Sequence, residues 1–184
     1  MKKVLIIAGS LRKASLTRQL AQRIEEELSK SAEVGWLDYA DVPLVNPDIE
    51  WPTPAPVARV RDEVMAADGV WVVSPEYNGS YPGHLKNLID WLSRPLVEGG
   101  KFGESVIAGK PFTVSGAAGG SGSANMQEKV IELLEFLLCK VMASPTTAVK
   151  MGRESFSTDV LALSTEDEQA IKDQAEAFVD FMGE

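Results

Sequence analysis

Three short apolar runs constrain the fold most: Val-Leu-Ile-Ile-Ala at 4–8, Gly-Val-Trp-Val-Val-Ser at 69–74 and Phe-Thr-Val-Ser at 112–115. Each stops at a glycine or a proline; the first two are continuously apolar, and the third sets Thr113 and Ser115 beside Phe112 and Val114. Such runs are the pattern of strands covered on both faces. The intervening stretches have a helical period. Leu16, Leu20, Ile24 and Leu28 recur every fourth residue while Arg18, Gln22, Arg23, Glu25 and Glu26 lie elsewhere, so one stripe can pack on a sheet. Leu85, Leu88, Ile89 and Leu92 do the same after Pro82 and Gly83.

The remaining segments complete an alternation. A second strand is predicted at 33–37, then a proline-rich loop and a helix at 57–67. A helix at 124–138 follows the glycine-rich 116–122, a fifth strand starts at 141–143, and Thr165-x-x-Glu168 reads as a capping box opening a last helix to 182. Strand and helix alternating end to end predict an α/β fold, a parallel sheet with right-handed crossovers and helices on both faces. At 184 residues with no linker or repeat, 1–184 is expected to be one domain.

Ligands of such sheets bind beyond the carboxyl ends of the strands, which here means the loops after strands one, three and four. In the first, residues 9–17, Ser10, Ser15 and Thr17 carry hydroxyls, Arg12 a guanidinium, and the following helix unpaired amides, a set that suits a phosphate dianion. Taken alone, this loop is equally well explained by Ser15 capping the helix and a solvated Arg12. It lacks Gly-Lys-Ser/Thr and Gly-x-Gly-x-x-Gly, which removes the P-loop and the dinucleotide turn. The third loop, Gly116-Ala-Ala-Gly-Gly-Ser-Gly122, permits close backbone approach.

The second loop is the most unusual. Ser74-Pro75-Glu76-Tyr77-Asn78-Gly79-Ser80-x-Pro82-Gly83-x-Leu85-Lys86-Asn87-x-Ile89-Asp90-Trp91, with Gly9-Ser10-Leu11-Arg12-x-x-Ser15 before it, resembles the NADPH-dependent FMN reductases, a group that includes quinone, chromate and azo-dye reductases. The resemblance implies a flavodoxin-like, doubly wound, five-stranded parallel sheet of order 2-1-3-4-5. It implies that Ser10, Arg12, Ser15, Leu16 and Thr17 hold the FMN phosphate. Pro75, Glu76, Tyr77, Asn78 and Gly79 would line the isoalloxazine ring, and Ser115 and Gly119 would complete the site. Family members often carry Asn where Thr17 stands; its hydroxyl still donates. NADPH or NADH would be the co-substrate, passing hydride to the flavin in a ping-pong reaction. A small-molecule acceptor such as a quinone, azo compound, free flavin or chromate then takes the electrons. No side chain is expected to act as a catalytic acid or base. A homodimer or homotetramer is implied. The stretch 94–110, with Gly99, Gly100 and Gly109, is long for a helix-to-strand connection and reads as a lid or subunit arm.

A flavodoxin-type carrier without its own nicotinamide reaction is the second reading, and a flavin-free sensor the third. The formal charge of −9 argues against a nucleic-acid surface. No stretch has the apolar length of a membrane span, so no membrane partner is expected. The basic start is cut short by Arg12 and Lys13 and reads as a strand, not a signal peptide. Cys139, the one cysteine, reads as a core thiol in a reducing cytoplasm, and His84, the one histidine, as a residue of a helix's first turn. Asp167, Glu168, Asp173 and Glu176 read as a solvated face, and no metal is expected.

Overall fold

A computed structural model of the protein describes residues 1–183. The first strand is β1 (Lys2–Ala8), followed by α1 (Leu16–Leu28), β2 (Ala32–Trp36), α2 (Ala55–Met65), β3 (Gly69–Pro75), α3 (Gly83–Leu92), β4 (Pro111–Ala118) and α4 (Ala124–Phe136). Then come β5 (Lys140–Met142), β6 (Ala148–Lys150), α5 (Arg153–Thr158) and α6 (Thr165–Phe181). The strands lie in the order β2-β1-β3-β4-β5, as the resemblance implies, and all pairs are parallel, as the alternation of elements predicts.

The fifth position differs from expectation. It is split: β5 pairs with Pro111–Thr113 of β4 and β6 with Gly116–Ala118, while residues 143–147 loop out between them. β4 is also longer than its apolar run. It continues through Gly116 because β3 and β6 flank it on both sides, and a Cβ there would lie 2.5 Å from Ser74 O and Ser123 Oγ. Glycine at that position permits close packing rather than a turn.

Alternate residues of the central strands feed two cores, as the pleat requires. Ile7, Val72 and Val114 face Val60, Leu88 and Val130 of α2, α3 and α4. Ile6, Trp71 and Val73 face Leu20, Ile24, Ile171 and Phe178 of α1 and α6. The capping box of α6 sits one residue earlier than Thr165. Ser164 Oγ accepts from Asp167 N at 3.1 Å and Asp167 Oδ2 accepts from Ser164 N at 2.9 Å. Two overlapping frames exist in Ser-Thr-Glu-Asp-Glu, and the structure uses the first.

Candidate functional site

The loops after β1, β3 and β4 meet at one cleft at the carboxyl edge of the sheet. Ser10, Arg12, Ser15, Leu16, Thr17, Pro75, Glu76, Tyr77, Ala117, Ala118, Gly119, Met151 and Phe156 line it, around a volume of about 150 Å³. Gly9 donates its N–H to Val73 O at 2.8 Å, so the first loop leaves β1 pressed against β3. Ser15 is the N-cap of α1, accepting from Arg18 N at 3.2 Å. The first-turn amides of Leu16 and Thr17 have no intrahelical acceptor and open toward the loop. No acidic residue occupies that turn, so hydroxyls, amides and helix dipole favour an anion together.

The second loop is a two-residue hairpin. Tyr77 N donates to Ser80 O at 2.8 Å and Ser80 N to Tyr77 O at 3.1 Å, with Asn78 and Gly79 at φ 54° and 69°. Positive φ at both central positions is the type I′ pattern, for which Asn-Gly is the favoured pair. Two side-chain contacts fasten the hairpin to α4. Lys129 Nζ donates to Gly79 O at 2.6 Å, and the Glu76 carboxylate accepts from Ser121 Oγ at 2.9 Å, Asn125 Nδ2 at 3.1 Å and Met126 N at 3.2 Å.

Glu76 thereby serves the amino end of α4, whose own N-cap, Ser123, makes no side-chain cap bond. Desolvation pulls its pKa upward, but the bonds from Asn125, Ser121 and Met126 outweigh it and hold the carboxyl below its usual value.

A model of the NADPH-dependent FMN reductases matches residues 2–154. The chain belongs to that family. A quinone reductase of Escherichia coli is 38% identical over 77% of this chain and 74% of its own. An NAD(P)H-dependent FMN reductase of Pseudomonas aeruginosa is 32% identical over 95% and 92%. Among solved structures, the flavoenzyme NAD(P)H:(acceptor) oxidoreductase FerB of Paracoccus denitrificans superimposes with a TM-score of 0.86 at 30% identity, covering 100% of this chain and 98% of that one. An archaeal flavodoxin shares the fold at TM-score 0.61 and 15% identity. Membership makes this FMN reductase family protein an oxidoreductase, with FMN its cofactor and NAD(P)H its co-substrate.

The cleft of this reductase family member collects nine of the twelve residues expected from sequence: Ser10, Arg12, Ser15, Leu16, Thr17, Pro75, Glu76, Tyr77 and Gly119. Asn78 and Gly79 form the hairpin tip beside it. The Ser115 side chain does not line the cleft. Its hydroxyl accepts from Trp71 Nε1 at 2.9 Å and donates to Gln174 Oε1 at 2.8 Å on the α6 side of the sheet, fully buried. In a strand that runs on to Ala118 it points into the core, and Ala117 and Ala118 reach the cleft instead.

Met151 and Phe156 were not legible as site residues, since they follow an interrupted strand with no motif of their own. The connection 94–110 does not cover this cleft. Lys110 Nζ donates to Ala67 O at 2.5 Å and Gly109 N to Leu138 O at 2.7 Å, contacts just before β3 and β5, at the opposite edge of the sheet.

His84 stacks on Tyr39 with centroids 5.8 Å apart, and burial lowers its pKa despite a hydrogen bond with the Gly9 backbone. It does not line the cleft. Burial pushes the Cys139 thiol up to about 12, which keeps it a protonated core residue. Among the described residues, no group of three or more His, Cys, Asp or Glu could hold a metal, and no helix is long and apolar enough to cross a membrane.

Proposed function

We propose that this cleft holds FMN and that the protein transfers hydride from NAD(P)H, in ping-pong order, to a quinone-type acceptor. The carrying observation is the convergence of an anion-binding helix start and a rigid amide-bearing hairpin on one cleft with apolar walls. Ser10, Arg12, Ser15, Leu16 and Thr17 would hold the phosphate; Pro75, Glu76, Tyr77, Asn78, Gly79 and Gly119 would line the ring. The donor set fits the group: hydroxyls, amides and a guanidinium for the dianion, with Leu16, Ala117, Ala118 and Met151 for its apolar part.

Bound FMN supplies the redox centre that accepts hydride from the nicotinamide and passes two electrons on. The protein's work is positional. Tyr77 N is used within the hairpin, which leaves the amides of Asn78 and Gly79 for the polar edge of the ring, where they would offset negative charge. Glu76 and Lys129 keep those amides from moving by tying the hairpin to α4 at both ends. Tyr77, 49% exposed, forms a flank without closing the face that a nicotinamide needs.

Relatives named quinone reductases support a quinone as acceptor, with azo dyes, free flavin and chromate as the comparison panel. The flavodoxin reading rests on the shared fold, seen in an archaeal flavodoxin at 15% identity. Rapid anaerobic mixing of the FMN-loaded protein with NADPH separates the two. Bleaching of the visible flavin band is expected; a protein that stays yellow would be a carrier. Arg12→Ala should weaken FMN binding by about tenfold or more, the worth of a hydrogen bond to a charged group. Hydride transfer in the FMN-saturated variant should be little altered.

The remaining expectations join the same reading. A homodimer or homotetramer is supported by exposed Phe102 and Phe136, whose rings lie 5.6 Å apart on the surface, and light scattering tests it. A cytoplasmic location accords with the buried thiol of Cys139.

A further inference from the structure

The segment after β6 crosses back over the phosphate loop. Phe156 of α5, 54% exposed, lines the cleft and lies 3.9 Å from where a Cβ on Gly119 would stand. Three residues on, Asp159 ends α5 in the left-handed region at φ 57°, and both its carboxylate oxygens accept from Arg12 Nη2, at 2.7 and 2.8 Å. Gln19 of α1 secures the same point. Its amide nitrogen donates to Asp159 O at 2.8 Å and its amide oxygen accepts from Leu161 N at 2.9 Å.

The anchors at Asp159 are polar, while at the two ends of the segment Met151, Leu161 and Leu163 pack partly buried against the core. Of α5 only Ser155 is buried, and the Arg12 and Asp159 side chains are 57% and 38% exposed. Between those ends α5 has little buried surface and opens at smaller cost than the core elements. The ion pair also engages one nitrogen of Arg12. Among the described residues, Nε and Nη1 have no hydrogen-bond partner, so the guanidinium keeps donors for a second anion while Asp159 holds it in place.

Resting on the FMN reading above, we propose that residues 151–163 are a strap that fastens the cofactor. Asp159 is a positioning residue that aims Arg12 at the phosphate, and Phe156 is the side wall that slows release. The opposite arrangement, in which Asp159 competes with phosphate for Arg12, uses the same contacts but predicts the opposite sign. Asp159→Asn discriminates, because Asn tolerates the left-handed backbone and so keeps the end of α5.

The experiment measures FMN dissociation constants and release rates by flavin fluorescence in the wild type, Asp159→Asn, Arg12→Ala and the double variant. Asp159→Asn should bind FMN roughly three- to tenfold more weakly and release it faster, the worth of one or two hydrogen bonds. On the Arg12→Ala background it should add nothing, since its effect runs through Arg12. Gln19→Ala, which loosens the strap without touching either charge, should also speed release. Tighter binding in Asp159→Asn, no change, or an equal loss on both backgrounds would overturn the strap. A wild type that takes up no FMN would instead overturn the functional reading beneath it.

Discussion

Glu76 joins two loops that are 45 residues apart from Ser121 in sequence. It was expected to line the ring, and it does reach the cleft, yet its carboxylate oxygens are occupied by the amino end of α4. The same side chain therefore places the hairpin and caps a helix whose own Ser123, at φ 77°, cannot. Glu76→Ala should destabilise the apo protein by about 1–2 kcal/mol, the upper range for losing an N-cap, as read from urea unfolding. Its sequence neighbourhood identified it as a site residue. The partner group was not legible, because a carboxylate caps any helix that tertiary packing brings within reach.

At the scale of elements, α6 shows how packing imposes order that local pattern does not. Gln174, fully buried, accepts from Ser115 Oγ and donates to Thr113 Oγ1 at 2.8 Å and Val114 O at 3.0 Å. Trp71 Nε1 joins the same network through Ser115. Gln174→Leu keeps the volume but strands these polar groups away from water, and should cost about 1–3 kcal/mol of stability, as read from urea unfolding. The network explains why Ser115 and Thr113 interrupt an otherwise apolar strand. The family resemblance placed Ser115 in the site; its partner Gln174 on α6 marks it as a satisfied core hydroxyl.

Across the molecule, the carboxylates with lowered pKa values set the acid limit of stability. The hydrogen bonds of Arg94, at 2.8 Å to each oxygen, hold Glu50 below its ordinary value against the pull of desolvation, with further help from the charges of Arg94 and Arg61. A folded-state pKa below the unfolded one contributes stability that is present above the unfolded value, about 4.3, and is lost as pH falls through the folded one. Glu50→Gln should cost about 1–3 kcal/mol at neutral pH. The gap to the wild type should close as urea midpoints are followed down to pH 3. The sequence by itself determined the layered parallel sheet, because continuous apolar runs alternating with amphipathic helices have few compact solutions, and the family resemblance supplied its strand order. It also determined the first two loops, whose turn chemistry and donors are local properties. Tertiary structure alone decided the far side of the cleft. The split fifth strand returns the chain to the carboxyl edge, and Asp159 and Phe156 meet Arg12 and Gly119 across some 147 and 37 residues of sequence. Contacts that distant depend on where the sheet ends, which no local period encodes.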